Sequence, residues 1–410
     1  MTIKNLYPSV LPSLNLDFAN SRVLDPRVSF TRASTGTYTD SAGVLQTAVT
    51  NVPRFDHNPT TGESLGLLVE EQRTNLLTYS EDLSQWLPPF GATLTTNNTA
   101  APDGAVTADL LLETTATSLH SCDGPAFVFV TGTTYTYSVY VKPVGGRNFE
   151  ISYPPTVFTS RFARFSLSGG GSVQGTDAGM TASIQAAGNG WYRCSATNTC
   201  AAGAGARIGS FINNASSSRS YAGDATTGVF IWGAQLEAGS FPTSYIPTTS
   251  AATTRSADVA SITGTNFSSW YRQDEGTVFS DATVPYTVPG SVFPVVVALN
   301  DGTTNNKITN GYLTSASAGF EVSTGGVSQA GIYPSTAAAN RKFANCYRLN
   351  DFAASVNGGT VGTDTSGTVP TIDRLSINVV NGYSALNGTI KRLTYWPQRL
   401  PNSTLQAITQ

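Results

Sequence analysis

Apolar and polar residues alternate along Thr134-Tyr-Thr-Tyr-Ser-Val-Tyr-Val-Lys142 with the period of two that an extended chain imposes. Tyr135, Tyr137, Val139 and Val141 fall on one face, and Thr134, Thr136, Ser138 and Lys142 on the other, which predicts a half-buried antiparallel strand. Phe149–Tyr153, Arg161–Leu167 and Trp191–Ser195 follow at strand spacing, divided by Gly-Gly and Gly-Asn-Gly turns. Val229-Phe-Ile-Trp232, a short β-prone run bounded by glycines, predicts a buried strand. Beyond it Pro242 and Pro247 forbid a continued central ladder, and the Ser/Thr/Ala-rich stretch that follows has no apolar period from which to build a core.

This punctuation divides the chain into an extended arm over 1–74, a jelly-roll sandwich over 75–247, a partly flexible linker over 248–263 and a second β-sandwich over 264–410. The fold class expected is all-β: two antiparallel sandwiches joined by a short linker and preceded by an arm. In the second sandwich, strands are expected in Gly276–Ser280, Ser291–Ala298, Ile372–Val380 and Gly388–Trp396. Ile390, Leu393 and Tyr395 do not share one parity, so the last strand needs a bulge near Lys391 or Arg392, or burial on both faces. Pro401-Asn-Ser-Thr-Leu-Gln-Ala-Ile predicts a short closing surface helix. The arm holds only short extended pieces, such as Leu14–Ala19, Asp25–Ser34 and Asn51–Asp56, too poor in apolar residues for a core of their own. It must lie on a surface, either a downstream domain of the same chain or another subunit or particle. A truncation starting at Thr74 is expected to leave both sandwiches folded.

Composition sharpens this picture. Charged residues are 12% of 410, about half the share usual in soluble domains, so Ser, Thr, Asn and Gly must carry solubility. A net charge of -3 without a Lys/Arg cluster argues against nucleic acid, and no apolar run of bilayer length points to membrane insertion. The N-terminal residues lack the features of a secretory signal. Cys122, Cys194, Cys200 and Cys346 are too scattered for a disulfide framework and read as buried thiols, with a Cys194–Cys200 bond the alternative.

The series Leu16-Asp-Phe-Ala, Asp25-Pro-Arg, Phe30-Thr-Arg-Ala-Ser, Asn51-Val-Pro-Arg-Phe-Asp and Gly66-Leu-Leu-Val-Glu-Glu-Gln-Arg-Thr-Asn-Leu-Leu77 resembles a leader of tailed-phage and prophage virion proteins, over roughly the first fifth of the chain. Asn75-Leu-Leu, Trp191-Tyr-Arg and Trp232-Gly-Ala-Gln-Leu-Glu237 resemble carbohydrate-binding-module jelly rolls, and Leu386–Leu400 resembles the end of a concanavalin/laminin-G-like sandwich. The resemblance implies a protein of a phage or gene-transfer particle (head spike, fibre or tail appendage) that docks by its leader on capsid or tail proteins and adheres to host surface glycan. It implies a homo-oligomer, dimer or trimer, located on the virion. A decoration or cement protein without glycan binding is the alternative, and a polysaccharide depolymerase a further one.

Catalytic chemistry finds little footing. Gly62-Glu-Ser-Leu-Gly66 matches the nucleophile-elbow pattern, yet a turn precedes Ser64 and a strand follows it, the reverse of an elbow's context. His57 and His120 are the only histidines and read as polar turn residues. Glu237 reads as a solvated strand-end acid, and no carboxylate pair suits a glycosidase. The reading is therefore not an enzyme, with no catalytic residue and no cofactor. Asn300–Asn306 offers oxygens for a structural Ca²⁺, although an Asp-Gly turn explains it equally. Sugar recognition needs aromatic platforms beside planar donors and acceptors, and Trp270, Tyr271, Arg272, Gln273, Tyr286, Tyr312 and Tyr333, outside clean alternating strands, are the candidates. Position furthest from the arm places them in the host-facing domain.

Overall fold

The computed structural model describes residues 8, 10–286, 288, 293–314, 317–335, 338–378 and 384–410. Ser291 and Val292 of one expected strand, Val379 and Val380 of another, and the first seven residues of the arm lie outside them. Among the described residues, no helix is long and apolar enough to cross a membrane. The regular structure is almost entirely antiparallel strand, and two sandwiches are present as expected.

The N-terminal sandwich packs a five-stranded sheet on a six-stranded one. The first runs Ser121–Asp123, Gly209–Asn213, Asn148–Ser152, Phe162–Ser166, Ser172–Thr176 in spatial order, and the second Thr181–Ala186, Tyr192–Thr199, Thr134–Val144, Gly228–Ala238, Val106–Glu113, Ala92–Ala100. Tyr135, Tyr137, Val139 and Val141 enter the core with Phe149, Ile151, Phe165 and Ile231, as their alternation predicts. The opposite face of that strand is not solvated: Thr136, Ser138 and Tyr140 are buried too, beneath other parts of the chain. All four cysteines are free and buried.

The C-terminal sandwich pairs an eight-stranded sheet with a seven-stranded one. Its strand Gly388–Trp396 pairs with Glu275–Thr283, and the register jumps from Asp281↔Arg392 to Ala282↔Ile390. Lys391 is thus the bulged residue, which explains how Ile390, Leu393 and Tyr395 all reach the core despite their parity. Gly66 lies against this bulge with φ +87, and a Cβ there would meet the Ile390 carbonyl oxygen at 2.1 Å. The elbow-like glycine therefore answers a close approach of two backbones, and Ser64 begins the strand Ser64–Val69. The closing helix, Asn402–Ile408, seats Leu405 and Ala407 against the sheet and starts without a side-chain cap.

The leader is not a free arm. Leu14–Asp17 pairs with Gly388–Trp396, Ser64–Val69 pairs with the same strand, Arg54–His57 pairs with Ser64–Val69, and Ser29–Thr31 joins Val259–Thr263 in the opposing sheet. Leu14, Leu16, Phe18, Val28, Leu67 and Val69 belong to the core of the C-terminal sandwich. Of the two surfaces a core-poor segment could lie on, it lies on its own chain, and on the sandwich distant in sequence.

Nor is the stretch 248–263 a flexible tether. Thr253–Arg255 pairs with Arg73–Asn75, and Val259–Thr263 is a strand of the seven-stranded sheet. Between them Arg255 and Asp258 meet Arg32, Arg54 and Glu70 of the leader in a buried ionic cluster. Asp258 lies 3.1 Å from Arg32 and 2.5 Å from Arg54, while Glu70 lies 2.8 Å from Arg54 and 3.4 Å from Arg255. Asn378 of the C-terminal sandwich donates to the backbone oxygens of Glu70 and Asp258. Burial works to raise the Glu70 carboxyl, but Arg255 and Arg54 overcome it and hold the group at about 2. Periodicity reads apolar residues, so a segment anchored by charge looks like a linker.

Candidate functional site

The seven candidate sugar-binding residues do not form one platform. Trp270 is 4% exposed, packed edge-on against Phe267 and Tyr395, and Tyr312 is 1% exposed, its hydroxyl donating to the Ala282 carbonyl. Neither ring offers a face to a ligand, because both fill the C-terminal core. Tyr286 is half-buried, stacked 3.8 Å from Phe241, with its hydroxyl donating to the Leu386 carbonyl. Tyr333 is exposed and donates to Glu321. Tyr271 stacks on Phe267, and Gln273 donates to the Pro370 carbonyl and accepts from the Ile372 N–H. Those two border a shallow hollow of about 370 Å³, while exposed Arg272 is engaged by Asp274 and Glu275. Among the described residues, no group of three His, Cys, Asp or Glu side chains can hold a metal ion. The Asn300–Asn306 loop is closed on itself, Asp301 accepting from Thr303 and Asn306.

A larger cleft, of about 600 Å³, opens where the two sandwiches and the leader converge. One wall is the outer face of the six-stranded sheet, which presents Tyr140, Ser183, Gln185, Arg193 and Ser195. These residues sit there because their strand neighbours Val139, Val141, Cys194 and Ala196 turn into the core. The other wall is the leader, with Tyr38, Asp56, His57 and the Asn58–Thr61 turn, closed at the rim by Phe241 and Asn387.

Two polar atoms of this cleft have no hydrogen-bond partner. Arg193 donates to the Ser138 hydroxyl at 3.0 Å and lies 5.4 Å over the Tyr140 ring, leaving its buried Nε without a partner. His57 is buried, not a turn residue, and its Nδ1 lies 3.1 Å from the Thr39 carbonyl oxygen. A carbonyl only accepts, so Nδ1 carries a proton in this bond, and Nε2 has no hydrogen-bond partner. Asp56 accepts from the Thr39 N–H at 2.7 Å, and burial pushes its carboxyl up to about 6. A guanidinium, an imidazole and a carboxyl raised toward neutrality thus line one cavity, the combination expected of a small-molecule or oligosaccharide site.

The second carboxylate on the cleft wall, Glu70, is saturated by Arg54, Arg255 and two bonds from Ser244. Ser64 and His57 are register partners, yet Ser64 Oγ and His57 Nε2 are both without a hydrogen bond, so the elbow-like serine is not activated in this geometry. His120, likewise expected in a turn, is fully buried between the Gly91 and Tyr221 carbonyls. Glu237 is fully buried as well, accepting from Gln235 and Thr243, and is a structural acid.

No protein family and no curated protein matches the sequence. Among solved structures, the NanB sialidase of Streptococcus pneumoniae superposes over 36% of this chain and 26% of its own, at 13% identity and a TM-score of 0.30. The Ruminococcus gnavus IT-sialidase CBM40 bound to α2,3-sialyllactose matches 34% of this chain and 83% of its own, at 14% identity and a TM-score of 0.29. Mouse laminin α1 domains LG4-5 match 71% and 92% respectively, at 10% identity and a TM-score of 0.25. This chain corresponds to about a quarter of the sialidase, and superpositions this loose leave the site to be read from its own chemistry.

Proposed function

We propose that this chain is a non-enzymatic glycan-binding protein of a phage virion appendage, and that a surface polysaccharide enters the cleft between the leader and the six-stranded sheet. The observation that carries the reading is the pair of buried, unpartnered polar atoms, Arg193 Nε and His57 Nε2, in a cavity walled by Tyr38 and Tyr140. Sugar hydroxyls both donate and accept, and their ring faces need apolar surface. Binding is favoured over hydrolysis because Glu70, the companion a catalytic Asp56 would need, is neutralised by arginines.

The virion setting rests on the wording of the leader. Its exposed Val23, Val49 and Val52 supply apolar surface for docking on a capsid or tail protein, in place of a free arm. Several copies per particle, as a dimer or trimer, would raise weak affinity by avidity. The test is a glycan array with the full-length protein beside Arg193→Gln and His57→Ala, whose folding is checked by circular dichroism. Each substitution is expected to weaken the best glycan about tenfold, near 1.4 kcal/mol. Binding unchanged in both folded variants refutes the cleft, and fragmentation of the glycan refutes the non-enzymatic reading.

A further inference from the structure

The outer face of the five-stranded sheet carries chemistry that the cleft does not use. Phe149, Ile151, Ala163, Phe165 and Ile212 turn into the core, so Glu150, Phe162, Arg164, Phe211 and Asn213 turn outward. Glu150 is the register partner of both Arg164 and Phe211. An outward-facing acid on a surface sheet is ordinarily solvated, but Glu150 is fully buried, covered by two arginines. Arg164 Nε donates to one of its oxygens at 2.7 Å, Arg219 Nε lies 3.0 Å from the other, and Asn213 adds a bond at 3.1 Å. Each guanidinium is stacked, Arg164 at 4.1 Å over Phe162 and Arg219 at 4.2 Å over Phe211.

This arrangement fixes two guanidiniums with one carboxylate between them. Their side chains remain 28% and 31% exposed. Arg164 uses only Nε, and Arg219 directs one Nη to Ser152, so three terminal nitrogens have no protein partner among the described residues. Counting the surroundings, Arg161, Arg164, Arg207 and Arg219 stand against Asp123, Glu150 and Asp177, an excess of one positive charge. Stacking and ion pairing hold the forks in place before any ligand arrives, so little rotamer freedom is lost on binding.

The geometry points to a second binding site on this face, one that takes the carboxylate of a uronic-acid residue in an acidic polysaccharide. A carboxylate accepts a guanidinium fork through two parallel bonds, and Arg164 offers both terminal nitrogens outward. The site lies on a different sheet from the cleft, so either assignment can fail alone.

The experiment is calorimetric titration of the full-length protein with oligogalacturonate, with a neutral cello-oligosaccharide and a sulfated heparin fragment as comparison ligands. Arg164→Gln tests the fork, and the E150Q/R164Q pair removes both charges together in case the single change leaves a buried acid unpaired and misfolds. The expected result is saturable oligogalacturonate binding that weakens about tenfold or more in both variants and falls with added salt, with no binding of the neutral ligand. Absence of saturable binding by the unmodified protein overturns the inference, as does unchanged affinity in the folded variants or binding of the sulfated fragment alone. Arg193→Gln reports on the cleft separately: uronate binding lost there but kept in the sheet-face variants places the ligand in the cleft and overturns this site.

Discussion

Deleting residues 1–73 tests whether the leader is an appendage or part of a core. In the structure the deletion removes Leu14, Leu16, Phe18, Val28, Leu67 and Val69 from the C-terminal sandwich, all 9% exposed or less. At about 1.5–3 kcal/mol for each buried side chain, these six contribute roughly 9–18 kcal/mol, as an upper estimate. A whole domain is typically stable by about 5–15 kcal/mol, so the loss is of the same size as everything the sandwich has. The deletion also takes Arg32, Arg54 and Glu70, leaving Asp258 buried with only the distant Arg255, 3.9 Å away. A chain starting at Thr74 is therefore expected to keep the N-terminal sandwich and lose the C-terminal one. Scanning calorimetry reads this directly, as loss of the C-terminal unit's contribution to the unfolding heat, and adding the missing segment as a separate peptide should restore part of it. A truncated chain that retains the full unfolding heat and protease resistance of residues 264–410 would refute the argument.

Other outcomes follow from the same contacts. Asp258→Ala leaves three buried arginines facing Glu70 alone and is expected to cost about 3–5 kcal/mol, read as a lower midpoint in denaturant titration. Glu70, held at about 2 against an ordinary 4.5, contributes stability that is complete above pH 4.5 and is lost as pH falls toward 2; this amounts to about 3 kcal/mol, and Glu70→Gln should flatten that limb. Asp56 has the opposite sign: its carboxyl is raised from 3.8 to about 6, so stability falls as pH rises through that window, and Asp56→Asn should abolish the fall. Trp270→Ala should cost about 3–5 kcal/mol by opening a cavity, while glycan affinity of the protein that remains folded stays unchanged. Gly66→Ala should destabilise because its Cβ would collide with the Ile390 carbonyl; thermal unfolding identical to the unmodified protein would contradict this.

The sheets were legible because alternation reports burial on one face, and the bulge was legible because Ile390 and Leu393 break parity. What alternation could not report was a second covered face. Tyr140 stands at the polar parity of its strand, beside Ser138, and that misplaced aromatic was the available sign that something lay over the sheet. The leader's attachment was hidden because the strands that carry it, Leu14–Asp17, Ser29–Thr31 and Ser64–Val69, find partners more than 180 residues away. Trp270 and Tyr312 were misread as loop platforms because aromatics outside regular strands serve cores as readily as surfaces. Arg193 and His57 line one cleft only because the fold brings the leader over the sheet, which no local pattern reports.

The pairing of Leu14 with Tyr395 spans almost the whole 410-residue chain and sets an order of events during synthesis. The leader leaves the ribosome first. Ser29–Thr31 can pair once Val259–Thr263 has been made, but Leu14–Asp17 and the Ser64–Val69 edge wait for Gly388–Trp396. At about 5–20 residues per second that delay is on the order of tens of seconds, long enough for the N-terminal sandwich, whose strands are close in sequence, to fold in between. Throughout it, Leu14–Asp17 and one edge of Ser64–Val69 stay unpaired with Leu14, Leu16 and Leu67 uncovered, open to any other nascent chain of the same kind. Production in quantity is then limited by how well the leader is kept apart from its neighbours, and slower growth or a chaperone that holds extended segments should raise the folded yield more than any stabilising change in the N-terminal sandwich.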